Sequence, residues 1–149
     1  MWPFLLFLVV WLGCSPASQQ AVQWRSVVRV VDGDTLLLDR NERVRLIGVD
    51  TPETVDPRRP VERFGKEASD FTKRMVEGKK VRLEYDQDRR DRFGRTLAYV
   101  YLEDGTFLNA EIVKQGYGHA YTRFPFKYLE EFRGYESDAR EAQRGLWKP

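Results

Sequence analysis

Val44-Arg45-Leu46-Ile47-Gly48-Val49-Asp50-Thr51-Pro52-Glu53 sets an arginine, two carboxylates and a proline-stiffened turn at the end of an apolar strand. Upstream, Ser26 to Val31 and Thr35 to Leu38 are rich in β-branched and aliphatic residues, and Asp32-Gly33-Asp34 breaks them as a turn. After a polar turn at Asp39-Arg40-Asn41-Glu42, a third strand is predicted over Arg43 to Val49. Strict alternation along it would put Arg45 and Asp50 on opposite faces, so the strand must bulge or end between them. Gly48 is the place where the chain can do this.

Downstream, a loop from Glu53 to Phe64 carries Pro57, Arg58, Arg59 and Pro60. Val61, Phe64, Ala68, Phe71 and Met75 then recur at helical spacing, ending at Gly78. Val81, Leu83 and Tyr85 alternate with Lys80, Arg82 and Glu84 as a half-buried strand, and Leu97 to Leu102 forms a fifth. Leu108 to Gln115 reads as a helix stopped by Gly116. Phe132, Tyr135, Ala139, Ala142 and Leu146 mark a C-terminal helix, with Gly134 a weak point inside it. Three strands, a helix, two strands and two helices fit an α+β arrangement, a five-stranded OB-type barrel carrying three helices.

The chain has 149 residues, enough for one domain with one core. A hydrophobic fraction of 42% beside 32% charge excludes a disordered chain. A net charge of only +2 means that polyanion binding has to come from local clusters of arginine and lysine. The first 24 residues contain no charged side chain, and Phe4 to Leu12 is an unbroken apolar run. It is too short to span a bilayer, which takes about 20 residues, and is expected to be the core of an export signal covering residues 1–17. Cys14 follows Leu12-Gly13 in a pattern similar to a bacterial lipoprotein site, where cleavage after Gly13 would leave a lipidated cysteine. An ordinary signal that discards Cys14 is the alternative reading. The mature domain holds no intrachain disulfide on either reading, because there is no second cysteine.

One histidine and one cysteine make a zinc site improbable, and no phosphate-cradling glycine loop is present. What remains is carboxylate and arginine chemistry. Asp34 and Asp50 lie at strand ends that a barrel rim can bring together, and two close carboxylates repel unless a cation lies between them. Hard cations such as calcium or magnesium prefer oxygen ligands, to which the Thr51 carbonyl can add. Glu53 is the remaining acid and could polarise a water, and Arg45 and Arg95 are suited to grip phosphate oxygens. Taken singly, each has a plainer role: aspartates form turns, arginines solvate strands, and the Asp88 to Arg95 charges cover a hairpin.

Asp32-Gly33-Asp34-Thr35, Arg45-Leu46 leading to Val49-Asp50-Thr51-Pro52-Glu53-Thr54, and Phe93-Gly94-Arg95-Thr96-Leu97-Ala98-Tyr99 resemble the staphylococcal (micrococcal) nuclease family in order and spacing. So do Glu67-Ala68-Ser69, Asn109, Gln115-Gly116, Ala120-Tyr121 and Gly145-Leu146-Trp147, a likeness spanning the domain at 24–149. The resemblance implies an OB-fold calcium-dependent nuclease that cuts DNA and RNA and leaves 3′-phosphates. It implies one calcium held by Asp34, Asp50 and the Thr51 carbonyl, with Asp32 acting through water. Glu53 would be the general base, and Arg45 and Arg95 would bind the reacting phosphate. Phe93 stands where the family has a tyrosine; Tyr121 matches a base-stacking tyrosine, and Arg123 replaces a second one. Arg92, Phe93, Tyr121 and Arg123, with Arg58 and Arg59 in the nearby loop, are the candidate contacts to a nucleic-acid strand. A monomer is expected, exported to the cell surface, periplasm or medium. A barrel that binds nucleic acid without cutting it, or one that binds saccharide, are the other classes; the full set of Asp34, Arg45, Asp50, Glu53 and Arg95 favours the enzyme.

Overall fold

The computed structural model describes residues 21–54, 58 and 62–149. The expected export signal with Cys14, together with Pro57, Arg59, Pro60 and Val61, lies outside the described residues. Five strands close a barrel in the order β1 (Arg25–Asp32), β2 (Thr35–Leu38), β3 (Glu42–Leu46), β6 (Thr96–Leu102), β5 (Lys80–Glu84). All neighbours are antiparallel except β3 and β6, which run parallel with Val44 beside Thr96 and Arg45 beside Leu97. A second, two-stranded sheet pairs β4 (Val49–Asp50) with β7 (His119–Ala120), an element the alternation pattern is too short to reveal.

The barrel fills because alternate strand residues point inward. Leu36, Leu38, Val44, Leu46, Val81, Ala98 and Val100 are fully buried there. Three helices, α1 (Gly65–Val76), α2 (Leu108–Lys114) and α3 (Leu129–Glu141), add Val76, Ile112 and Phe132 to the same core. Asn109 on α2 is the exception that proves useful. Fully buried, it accepts from Val100 N (2.9 Å) and donates to the carbonyls of Ile47 (3.0 Å) and Ala98 (3.1 Å). It thereby ties the end of β3 to β6 beside the turn that leads to Asp50, pairing three backbone groups there.

Several sequence expectations need correction. The third strand does not run from Arg43 to Val49; it ends at Leu46, and Gly48 turns with φ +75° before β4 begins. A Cβ at Gly48 would lie 2.6 Å from the Phe126 ring, so the turn needs glycine for space as well as for backbone sign. The first helix begins at Gly65, with Phe64 outside it in a left-handed conformation at φ 72°. The third helix stops at Glu141; Leu146 belongs to a separate 3-10 turn over Gly145–Trp147. Local periodicity overshoots both helices because apolar spacing continues past their ends, where Phe64 stacks on Tyr117 and Leu146 sits in the 3-10 turn. Tyr85 likewise lies beyond β5, exposed and covered by Arg89, whose guanidinium is 3.6 Å from its ring centre.

Candidate active site

Three turns at one end of the barrel build the site. The β1–β2 turn presents Asp32, Gly33 and Asp34; the Gly48 turn presents Asp50 and Thr51; the chain beyond carries Glu53 and Thr54. Gly33 lets the first two turns touch: a Cβ there would meet Thr51 Oγ1 at 2.7 Å. From α1, Thr72 donates to the Gly33 carbonyl at 2.7 Å and holds the turn from below. With the turns pressed together, Thr51 N–H donates to Asp34 Oδ2 at 3.0 Å, while Thr35 Oγ1 donates to Asp34 Oδ1 at 3.0 Å.

Arg45 reaches this cluster from the outer face of β3. Its Nη1 is spent on the carbonyls of Leu46 (2.8 Å) and Val49 (2.6 Å), which lock the guanidinium across the Gly48 turn. Its Nη2 faces both acids, 3.3 Å from Asp34 Oδ2 and 3.8 Å from Asp50 Oδ1. The structure thus brings together Asp34, Arg45 and Asp50 as the sequence led one to expect, and does so through the turn at Gly48.

The electrostatics are unbalanced. Burial pushes the Asp32 carboxyl up to about 6, helped by the negative charges of Asp34 and Glu53 and opposed by hydrogen bonds from Thr54 and Gly33. Asp50 is also raised, by desolvation and then by Asp34, although Arg45 and His119 pull the other way. Among the described residues Arg45 is the one guanidinium within 4 Å of Asp34 and Asp50, and His119 is the further positive influence on Asp50. Thr51 Oγ1, buried and without a hydrogen-bond partner, is a further unsatisfied polar atom at the same place. Among the described residues no three acidic, histidine or cysteine side chains converge as a ready ligand set. Two carboxylates and a carbonyl oxygen fit a hard cation that keeps water on its remaining positions, and do not fit zinc.

Glu53 is oriented by its own turn. Its Oε1 accepts from Thr54 N–H at 3.0 Å. Its backbone N–H donates to the Glu62 carboxylate at 3.0 Å, and Glu62 N–H returns to the Glu53 carbonyl at 3.0 Å. Thr54 Oγ1 donates to Asp32 at 2.7 Å, linking the Glu53 turn to the β1–β2 turn. Glu62 is a supporting residue that sequence reading missed, because only the closed loop brings it to Glu53. The same applies to His119, which β7 sets opposite Asp50.

Arg95 is placed differently. It precedes β6, and its Nε donates to Asp91 at 2.6 Å, so the hairpin turn orients it instead of the carboxylate cluster. Neither Nη of Arg95 hydrogen-bonds a described residue, which leaves both for an anion. The same Asp91 carboxylate accepts from Phe93 N–H at 2.9 Å, holding that exposed ring beside Arg92 and Arg95 at 4.7 and 5.3 Å. Tyr121 hangs from the Gly48 carbonyl through its backbone N–H (2.9 Å), and its ring lies 6.0 Å from that of Phe124. Arg123 and Arg58 are exposed. Phe124, 62% exposed, is an aromatic that the sequence reading passed over.

A closed five-stranded barrel with three helices, whose rim gathers carboxylates around a locked arginine, is an OB-fold arrangement. Residues 43–149 match the family of staphylococcal nuclease homologues. The chain is 45% identical over 139 residues to a thermonuclease of Staphylococcus hyicus, covering 91% of this chain and 80% of that protein. It is 47% identical over 126 residues to a thermonuclease of Staphylococcus intermedius, covering 82% and 74%. An SPbeta prophage-derived endonuclease of Bacillus subtilis is 39% identical over 125 residues, covering 80% of this chain and 42% of its own length. The chain belongs to the staphylococcal nuclease homologue family.

Proposed function

We propose that this protein is an exported, calcium-dependent, sugar-nonspecific nuclease that hydrolyses DNA and RNA and leaves 3′-phosphates. Its nature as a nuclease and hydrolase comes with the family and with relatives that are thermonucleases and endonucleases. The single observation that carries the metal and the mechanism is the pair of carboxylates at the rim, Asp34 and Asp50, which among the described residues share the Arg45 guanidinium at 3.3 and 3.8 Å.

Asp34, Asp50 and the Thr51 carbonyl would hold the calcium. When bound it supplies positive charge next to the scissile phosphate and relieves the repulsion between the two aspartates. Arg45 and the free Nη groups of Arg95 bind the non-bridging phosphate oxygens and offset the charge that builds in the five-coordinate transition state. Glu53 takes a proton from water as its oxygen attacks phosphorus. The bond to the 5′ oxygen breaks, that oxygen is protonated, and the phosphate stays on the 3′ side. Asp32 supports the arrangement by fixing Thr54, and so the Glu53 turn.

The test is an assay on single- and double-stranded DNA and on RNA, with calcium and with EGTA. Cleavage of all three with calcium and none in EGTA is the expected result; undiminished cleavage in EGTA would remove calcium from the mechanism. The apolar run from Phe4 to Leu12 supports export, and Cys14 supports a lipid anchor. Among the described residues no helix is long and apolar enough to cross a membrane. An anchored protein should partition with detergent until Cys14→Ser releases it; a parent recovered as free soluble protein would count against the anchor.

A further inference from the structure

We infer that the outer face of β1, β2 and β3 is a second nucleic-acid contact, a guanidinium row that carries the phosphodiester backbone away from the site. The inference rests on the nuclease reading above and extends it to residues outside the reaction centre. Strand register creates the row. Arg29 on β1 pairs with Leu37 on β2, and Leu37 pairs with Arg43 on β3. Continuing the β3–β6 register back by one residue from Val44–Thr96 sets Arg43 beside Arg95. Arg29, Leu37 and Arg43 therefore run across three strands in one line that points to Arg95, just before β6, and Arg45 lies two residues from Arg43 on the same face.

Strand alternation shows which way these residues look. Val44 and Leu46 are buried in the barrel, so Arg43 and Arg45 stand outside it. At Arg29 the β1–β2 pairing slips between Val27 and Arg29, a bulge that leaves both Val28 and Arg29 on the surface. Arg29 and Arg43 are exposed, and neither makes an ion pair with a described residue. This contrasts with Arg25, a few residues back on β1, which is bound to Asp39 and Glu42. Two uncompensated cations in line with the phosphate-binding arginines have no structural task in the barrel.

The spacing suits a polyanion. Adjacent strands lie about 4.8 Å apart, so Arg29 and Arg43 are separated by roughly 10 Å and Arg29 lies about 14 Å from Arg95. That reach exceeds a single phosphodiester and falls within a few nucleotides of an extended strand. Leu37 and the exposed Val28 give the row an apolar floor between Arg29 and Arg43, and the acids Asp91, Asp34 and Asp50 stand only at its site end, on Arg95 and Arg45. Phe93 with Arg92 stands on the hairpin that holds Arg95. The occupant that fits is the backbone of a single-stranded substrate, engaged without regard to sequence.

The test compares the full chain with an Arg29→Gln/Arg43→Gln double variant and an Arg29→Lys/Arg43→Lys control. Substrates are a twenty-residue oligothymidylate and a dinucleotide too short to reach the row. At about 0.1 M salt the Gln variant should lose on the order of tenfold in kcat/KM on the oligomer, through KM, with the dinucleotide unaffected. The slope of log kcat/KM against log salt should become shallower by about 1.4, two phosphate contacts at about 0.7 each. The Lys control should restore most of both. Equal slopes for parent and Gln variant, or an equal loss on the dinucleotide, would overturn the row. Fluorescence anisotropy of labelled oligothymidylate, and sedimentation with phosphatidylglycerol vesicles, read the same variants without catalysis. If the parent binds the oligomer through the row yet cuts nothing, the nuclease reading fails and the row stands. If the variants lose vesicle binding alone, the row serves lipid and the inference is wrong.

Discussion

The two ends of strand β2 each gather acids around one arginine, and they behave in opposite ways. At the β2–β3 turn, Arg25 bonds Asp39 at 2.6 Å and Glu42 at 2.5 Å, and Glu42 also accepts from Thr96 Oγ1 at 2.8 Å. Asp39 is held below the usual carboxylate range by its bond to Arg25. Burial alone would raise Glu42, but its bonds to Thr96 and Arg25 outweigh that and lower it. At the β1–β2 turn the arginine stands further off, at 3.3 and 3.8 Å, and Asp32 and Asp50 are both raised. The same residue types are satisfied at one end and starved of positive charge at the other. A closed ion-pair set stabilises the chain by itself, whereas a starved set is completed by what binds to it.

The sharpest test of this contrast is at Glu53. On the proposed mechanism Glu53 acts on the transition state, so Glu53→Gln should reduce turnover more than about a hundredfold while KM stays near the parent value. Equal turnover would place the base elsewhere. Next comes the closed end. Arg25→Ala should lower the urea midpoint, chiefly by leaving the half-buried Glu42 without its guanidinium, and leave kcat intact. A loss of activity at unchanged stability would mean that the two ends are not separate devices.

The smallest effect is one of pH, measured in chelator. A raised carboxyl binds its proton more tightly in the folded chain than in the unfolded one, so Asp32 favours folding below about pH 4 and progressively less as pH rises toward about 6. Asp32→Asn keeps an oxygen for Gly33 and Thr54, which both bond Oδ1, and removes the charge. Its melting temperature should therefore exceed that of the parent at pH 8 and converge with it near pH 4. The lowered Glu42 has the opposite sign: its contribution is complete above its unfolded value and disappears as pH falls through the folded one. A melting difference for Asp32→Asn that is the same at pH 4 and pH 8 would show that the rim is not short of positive charge.

Much of the barrel was legible. The turn at Asp32-Gly33-Asp34 and the runs around it place β1 and β2, because turn chemistry and β-branched alternation are local properties. Asp34 and Asp50 could be assigned to a shared rim for the same reason. The paired β4 and β7 could not, since two residues carry no period, and their pairing joins positions far apart in the chain, Val49 to Ala120 and Asp50 to His119. The role of Glu62 was equally hidden, as it depends on how a loop closes and not on what precedes or follows it.

Residue type and order by themselves determined the barrel class, the breaks between its strands, and which acids and arginines were present to act. Glycine at position 48 could be picked out from alternation alone. Tertiary structure decided how those charges are shared: which arginine is fully paired, which faces two acids at a distance, and which stand unpaired in a row across three strands. Charge compensation depends on distance and burial through the fold, and neither can be read from spacing along a chain.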